Sequence, residues 1–251
     1  GPTLKMAGMM GIPTLIQEQN SYAGVTNKLL AKKACKICVA YDGMERFFEK
    51  DKIILTGNPV RQGLRNHHIS REEAIRSFGL DPSKKTILIV GGSLGARTIN
   101  NCVMEGLDKI KASGAQFIWQ TGKIYIGEAR AAVAQAGELP MLHVTDFISD
   151  MAAAYSAADL IISRAGAGSI SEFCLLQKPV ILVPSPNVAE DHQTKNALAL
   201  VNKNAALYIK DAAAKEALLD KAVETVKQPE TLKSLSTNIA KLAFTDSANV
   251  I

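Results

Sequence analysis

Short uncharged runs alternate along this chain with longer segments that have the apolar period of a helix, and this alternation restricts the fold. Residues 86–90 and 160–163 carry no charge, which is typical of strands covered on both faces. After the first run, Ile99, Val103 and Ile110 recur at helical spacing and share one face. Regular alternation of this kind predicts an α/β fold in which helices cover both faces of parallel sheets.

The alternation forms two sets of elements that meet near Arg61, after the turn-rich string TGNPVR at 56–61. We therefore expect two Rossmann-like lobes, an incomplete one at residues 1–61 and a second at residues 62–251. The expected strands are 13–16, 35–40, 52–55, 86–90, 117–120, 142–144, 160–163, 180–184 and 206–209. The expected helices include 22–34, 70–78, 99–110, 125–135, 151–158, 169–176, 192–202 and 212–244.

Composition narrows the class of protein. With 47% hydrophobic and 21% charged residues in 251, the chain is foldable, and no apolar run reaches the ~18 residues of a membrane-spanning helix. A net charge of +5 suits an anionic ligand or a membrane surface, but it is weaker than a dedicated nucleic-acid binder would carry. The pair Cys35 and Cys38 lacks the other half of a zinc site, so we expect two small residues on a buried strand.

The first residues resemble the end of a helix entered within a domain, so we expect the chain to be part of a longer protein. Leu4, Met6, Met9 and Met10 lie in this segment. These side chains could touch lipid, but a stripe that faces the core is the favoured interpretation.

Ligands of open α/β sheets bind beyond the carboxyl ends of the strands, against helix N-termini. The string GGSLGAR at 91–97 follows the strand 86–90. Its glycines let backbone N–H groups approach a phosphate, and Ser93 adds a hydroxyl donor. The spacing matches neither an ATP-binding P-loop nor a nicotinamide-dinucleotide fingerprint. An anion site is favoured over a tight turn that only packs a helix.

A second small-residue string, RAGAGSISE at 164–172, follows the strand 160–163. Ser169 and Glu172 have the spacing of a capping box, which would be a purely structural role. Alternatively, the Glu172 carboxylate accepts two hydrogen bonds from a vicinal diol such as a ribose. Spacing alone leaves both interpretations open.

Polar residues at three other strand ends have similar alternatives. His192 and Gln193 begin a helix, where the alternatives are an acidic stretch that only caps the helix and side chains that contact sugar hydroxyls. Arg61 is either a cation for a leaving diphosphate or half of a salt bridge between the lobes. Glu18 could act as an acid or base, although an unpaired surface carboxylate is more common. No D-x-D pair for a divalent metal is present in the sequence.

Taken together, these strings resemble the MurG family of UDP-N-acetylglucosamine:N-acetylmuramyl-(pentapeptide) pyrophosphoryl-undecaprenol N-acetylglucosamine transferases, which have the GT-B fold. They occur in the family's order and spacing over nearly the whole chain. The matching strings are QEQN (17–20), AG and TN (23–24 and 26–27), GNPVR (57–61), GGSLGAR (91–97), FISDM (147–151), RAGAGSISE (164–172) and EDHQTKNA (190–197).

The resemblance implies a role for each matching part of the second lobe. The loop around Ser93 and the helix start at Gly168 and Ser169 would hold the diphosphate of the donor. Phe147 and Ile148 would meet the uracil, with the Ile148 backbone reading its edge.

The remaining implied contacts involve the sugars of the donor. Glu172 would hold the ribose diol, which favours the functional interpretation of this residue. His192 and Gln193 would contact the N-acetylglucosamine hydroxyls, and Asn20 and Arg61 would reach the donor from the other lobe.

The resemblance also implies an activity, namely inverting transfer of N-acetylglucosamine from UDP-N-acetylglucosamine to lipid-linked N-acetylmuramyl-pentapeptide, without cofactor or metal. The implied location is the cytoplasmic face of a bacterial membrane, bound peripherally. Two alternatives stay open: a module that binds the UDP-sugar without turnover, and another UDP-sugar enzyme of the GT-B fold, such as a glycolipid synthase or an epimerase.

Three features differ from the family pattern. A glycine-rich loop with a histidine, which would supply the acceptor site and the catalytic base, is absent from the sequence, so Glu18 is only a weak candidate for the base. Gln17 stands where the family often has histidine. The last helix, which in the family returns to the first lobe, is cut short after Ile251.

Overall fold

The structure, a computed structural model, describes residues 1–65, 69–92 and 94–251 and consists of two parallel β-sheets with their helices. The first sheet has three strands in the order β1-β2-β3, and the second has six in the order β6-β5-β4-β7-β8-β9. The strands are β1 (Leu15–Glu18), β2 (Lys36–Val39), β3 (Ile53–Leu55), β4 (Thr86–Val90), β5 (Gln116–Gln120), β6 (Leu142–Thr145), β7 (Leu160–Ser163), β8 (Val180–Leu182) and β9 (Leu207–Tyr208).

Helices connect the strands, as parallel pairing requires. They are α1 (Pro2–Met9), α2 (Val25–Ala31), α3 (Gln62–Arg65), α4 (Arg71–Ser77), α5 (Arg97–Glu105), α6 (Leu107–Ala112), α7 (Ile126–Ala136), α8 (Met151–Ala157), α9 (Ala167–Leu175), α10 (His192–Val201), α11 (Ala214–Val226), α12 (Pro229–Ala240) and α13 (Ser247–Val250). Within the described residues, none of them combines the length and apolar character needed to span a membrane.

Side chains of the six-stranded sheet alternate between two hydrophobic cores, one on each face. Leu88 and Ile161 belong to the core that also contains residues of α4, α8, α9 and α10. Ile87 and Phe117 belong to the other core, with residues of α5, α6, α7 and α11. The prediction of parallel strands covered on both faces is therefore confirmed.

Local signals located some helix ends and missed others. Ser70 and Glu73 form the capping box that the sequence predicts at the start of α4. The capping box of Ser169 and Glu172, one of the two alternatives that the spacing leaves open, does not form. Gly166 takes the extended N-cap conformation, so α9 begins at Ala167 and both residues lie inside the helix.

Two long predicted helices are interrupted. The segment 99–110 is divided between α5 and α6 at Gly106, where a Cβ would lie 2.1 Å from a methyl carbon of Leu219. The segment 212–244 divides into α11 and α12 at Pro229, which occupies a first-turn position of α12. Proline is favoured there because its missing N–H would have no helical partner.

The expected core-facing stripe of α1 is also wrong for the described chain. None of its residues is buried, and Met6 and Met9 are more than half exposed. Cys38 is buried on β2 as expected, whereas Cys35 just before that strand is exposed.

The two sheets are linked by direct contacts. The ring of Phe244, which follows α12, packs so closely on Gly57 that a Cβ there would lie 2.4 Å from it. Lys203, after α10, forms an ion pair of 2.9 Å with Asp42, after β2. The carboxyl ends of the first sheet's strands therefore face elements of the second.

Candidate functional site

A crevice at the carboxyl edge of the six-stranded sheet is the natural ligand position. The chain runs from β4 outwards through β5 and β6, then returns to β7 on the opposite side of β4. The connections that follow β4 and β7 leave this switch point in opposite directions, which opens a crevice where ligands of this topology bind. Helices α5 and α9 begin there, and neither has a side-chain cap among the described residues. Their first N–H groups are suited to an anion.

The β4–α5 loop (91–96) is held by close backbone packing. Gly95 has a φ of +79°, and a Cβ on it would lie 2.1 Å from the carbonyl oxygen of Thr121. A Cβ on Gly91 would lie 2.4 Å from the backbone nitrogen of Ala96. The tight-turn interpretation therefore accounts for these two glycines. Ser93, the predicted phosphate ligand, lies outside the described residues.

The β7–α9 loop (164–166) is held by a side chain instead. The Arg164 guanidinium donates to the carbonyls of Val183 and Pro184, at 3.0 and 3.2 Å, and pairs with Asp211. Gly168, in the first turn of α9, is exposed, and a Cβ on it would meet no atom within 4 Å. The start of α9 is thus open to a ligand.

Glu172 is the sixth residue of α9. Its two carboxylate oxygens have different partners. The Tyr155 hydroxyl donates to Oε2 at 2.7 Å, and Arg61 Nη2 donates to Oε1 at 3.2 Å. The Glu172 side chain is 14% exposed and that of Arg61 is 70% exposed. Arg61 therefore forms the salt bridge between the lobes that the sequence offered as one of its alternatives.

Tyr155 is a site residue that sequence reasoning missed. Burial, followed by the negative charge of Glu172, raises the pKa of its hydroxyl far above the ordinary value, so it stays a donor at neutral pH. In the sequence, Tyr155 is predicted only to be an apolar position of a helix. Its role depends on a partner 17 residues away, which no local pattern reveals.

Gln193 and His192 begin α10, beside the β7–α9 loop. The Gln193 carbonyl oxygen accepts from the backbone N–H of Ala165 at 3.2 Å and of Ser185 at 2.8 Å. The His192 ring lies 3.5 Å from the Glu190 carboxylate through Nε2, and its buried Nδ1 has no partner among the described residues. Gln193 therefore joins the ends of β7 and β8.

Asn20 reaches this region from the first lobe through Asn196, a buried residue of α10. Asn196 lies in one of the strings that match the family, but the sequence predicts no role for it. Asn196 Nδ2 donates to Asn20 Oδ1 at 3.0 Å and to the Ala165 carbonyl at 3.4 Å. Its Oδ1 accepts from the backbone N–H of Ser21 at 2.9 Å. One side-chain amide thus connects a loop of each lobe.

Glu18 is not an unpaired surface carboxylate, which corrects the more common case expected from the sequence. It is buried, and its oxygens accept from the backbone N–H groups of Asn20 and Gly24 and from Asn27 Nδ2, at 2.8–3.0 Å. These bonds fix the loop after β1 that carries Asn20.

Phe147 and Ile148 follow β6, at the same edge of the sheet but two strands from β4. Phe147 is exposed and Ile148 is buried. They line a hollow together with His143 and Phe78. The Ile148 backbone N–H and C=O form no hydrogen bond with the described residues.

Comparisons with known proteins show what this chain is similar to. The glycosyltransferase family 28 C-terminal domain matches residues 86–251. The UDP-N-acetylglucosamine--N-acetylmuramyl-(pentapeptide) pyrophosphoryl-undecaprenol N-acetylglucosamine transferase of Bacteroides fragilis is 73% identical over the whole chain, which spans 66% of that relative's length. The enzyme of the same name from Bacteroides thetaiotaomicron is 70% identical, with 68% of its length covered. The crystal structure of Acinetobacter baumannii MurG is similar to this chain, with a TM-score of 0.78 and 29% sequence identity. The match covers the whole of this chain and 68% of the Acinetobacter chain.

The fold is that of a GT-B glycosyltransferase. The chain belongs to the MurG family, within glycosyltransferase family 28.

Proposed function

We propose that the crevice between β4 and β7 binds the uridine diphosphate part of UDP-N-acetylglucosamine. The observation that carries this proposal is the position of Glu172: its carboxylate lies on the helix whose open N-terminus faces the crevice. An uncapped helix start suits a diphosphate, and a nearby carboxylate suits the ribose diol. The names of the relatives from Bacteroides, which contain this sugar, support the choice of donor.

Each predicted donor contact has a place in this proposal. The first-turn N–H groups at Gly168 and Ser169 bind the diphosphate, together with Ser93 of the β4–α5 loop. The Ile148 backbone binds the uracil edge, and the exposed Phe147 ring covers the base.

The sugar contacts come from both lobes. His192 and Gln193 bind the N-acetylglucosamine hydroxyls, and Gln193 does so through its Nε2, because its oxygen already holds two loops in place. Asn20, which Asn196 holds against α10, and Arg61 reach the donor from the first lobe.

We propose that the reaction is inverting transfer to the 4-hydroxyl of lipid-linked N-acetylmuramyl-pentapeptide. The hydroxyl oxygen attacks the anomeric carbon, the bond from that carbon to the diphosphate oxygen breaks, and the hydroxyl proton leaves to a general base. Negative charge develops on the departing UDP. The N–H groups of α5 and α9 stabilise that charge, because they are fixed in position before the reaction.

The acceptor is a membrane lipid, so the proposal includes peripheral binding at the cytoplasmic face of a bacterial membrane. The net charge of +5 supports attraction to anionic lipid. Residues 1–61 would belong to the acceptor lobe and residues 62–251 to the donor lobe.

Calorimetric titration with UDP-N-acetylglucosamine tests the donor site. Replacing Glu172 with alanine should weaken binding by about 1–3 kcal/mol, because two ribose hydroxyls lose their acceptor. Glu128→Ala is the matched control, since Glu128 is an exposed glutamate in the first turn of α7. It should leave the affinity unchanged.

Two outcomes would contradict the proposal. If Glu172→Ala lowers the melting temperature but keeps the affinity, Glu172 has only a structural role. If the unaltered chain prefers UDP-galactose, the donor is wrong. Adding the lipid acceptor then separates turnover from binding alone, because only an enzyme forms product.

A further inference from the structure

We propose that Tyr155 is a positioning residue that holds the Glu172 carboxylate in the orientation that recognises the ribose hydroxyls. This inference rests on the proposed function, in which Glu172 binds the ribose. It adds a residue that touches no part of the donor and sets how strongly the site prefers ribose over deoxyribose.

The Tyr155 hydroxyl is fixed by its surroundings. Tyr155 is 3% exposed, and its ring packs edge-to-face on Phe173, with centroids 5.8 Å apart. Its neighbours Ala152, Ala153 and Ala154 on α8 are buried as well. A ring that is this deeply buried cannot swing away from α9, so its hydroxyl offers a donor at one position.

The bond to Glu172 has the geometry of a strong contact. The distance from the hydroxyl to Oε2 is 2.7 Å, which is short and typical of a neutral donor on a carboxylate. The carboxylate of a free glutamate side chain rotates about its last torsion with little preference. One fixed donor on Oε2 removes that freedom and leaves Oε1 and the second lone pair of Oε2 in a defined plane.

Arg61, the partner of the other carboxylate oxygen, differs from Tyr155 in its exposure to solvent. Arg61 contacts Oε1 at the longer distance of 3.2 Å, and its side chain is 70% exposed. Its long side chain can move away from Oε1 at low energetic cost, because an exposed ion pair is weak. A ribose hydroxyl can then take its place on Oε1. The buried Tyr155 contact persists. Donor binding therefore exchanges one partner of Glu172 while the other keeps the carboxylate aligned.

The test compares UDP with 2′-deoxy-UDP as calorimetric ligands of the unaltered chain and of Tyr155→Phe. The variant keeps the ring and removes only the hydroxyl. UDP affinity should fall about fivefold to tenfold, because the carboxylate is no longer aligned with both ribose hydroxyls. The affinity for 2′-deoxy-UDP should change less than twofold, so the preference for ribose shrinks. A purely structural role would weaken both ligands equally.

Tyr41→Phe is the matched control. Tyr41 also has a buried hydroxyl, but this hydroxyl has no hydrogen-bond partner among the described residues. Its removal should leave the ratio of the two affinities unchanged. Melting temperatures of both variants show whether the fold is retained.

Glu172→Ala separates failure of this inference from failure of the proposed function. If Glu172→Ala keeps the preference for ribose, the proposed role of Glu172 is wrong. If Glu172→Ala loses that preference and Tyr155→Phe keeps it, only the inference about Tyr155 is overturned. In the double variant, Tyr155→Phe should have no further effect on the preference, since it acts through Glu172.

Discussion

The two glycine-containing loops that flank the crevice look alike in sequence and are built in different ways. In the β4–α5 loop, backbone atoms of neighbouring residues occupy the space of a Cβ at Gly91 and Gly95. At the start of α9, a Cβ on Gly166 or Gly168 would meet nothing within 4 Å. Glycine is therefore required by packing in the first loop, whereas the protein itself gives no steric reason for it in the second.

This difference indicates where a ligand approaches the backbone. The β4–α5 loop packs on the loop after β5, where Gly122 would carry a Cβ 2.4 Å from the Gly95 nitrogen. The β7–α9 loop is positioned by the Arg164 side chain and leaves its helix start uncovered. A small residue in open space at a helix N-terminus is expected where a phosphate comes close to the backbone.

The largest expected effect is on the packed loop. Replacing Gly95 with alanine should lower the free energy of unfolding by about 3 kcal/mol or more, because the methyl group clashes with the Thr121 carbonyl and the residue has a positive φ. Denaturant unfolding measures this change. Gly114→Ala is the control, since Gly114 has a similar φ of +74° but open space around it. Its loss should be about 1 kcal/mol. Equal losses in both variants would show that packing does not distinguish the first loop.

The second prediction concerns the side chain that holds the other loop. Arg164→Ala removes two bonds to carbonyls and leaves Asp211 without its cation, although Asp211 still accepts from Thr98 on α5. The free energy of unfolding should fall by about 2 kcal/mol. Arg130→Ala, at an exposed position of α7, should change it by less than about 0.5 kcal/mol. A similar small change for Arg164→Ala would mean that the loop keeps its shape without this side chain.

The sequence predicted the six-stranded sheet well because its signals are local. The bounds of β4 and β7 were predicted correctly, since an uncharged run of strand length has few other interpretations. The box of Ser70 and Glu73 was also predicted, because both partners lie within one turn. The same spacing at Ser169 and Glu172 forms no such box, since Gly166 is the N-cap of α9 and Glu172 bonds to Tyr155 instead.

Much of the candidate site depends on contacts between distant parts of the chain. Asn196 bonds to residues more than 170 positions away, and Glu18 is buried by a loop that it organises itself. Neither arrangement has a periodic signal. The resemblance to a family predicts which residues bind the donor, but it does not identify the residues that orient those side chains.

The smallest expected change in stability tests the comparison most directly. Gly168→Ala adds a methyl group in open space at the second position of α9, so the free energy of unfolding should rise by up to about 0.5–1 kcal/mol. UDP affinity, measured by calorimetry, should nevertheless fall about tenfold, because the methyl group lies where the diphosphate approaches the first-turn N–H groups.

Gly127→Ala is the matched control for this variant. Gly127 is the second residue of α7 and also has nothing within 4 Å of a Cβ, so it should show the same gain in stability with unchanged affinity. If Gly168→Ala also keeps its affinity, the diphosphate does not approach the start of α9. The open space at that helix would then need an explanation other than the donor, and the contrast between the two loops would concern folding alone.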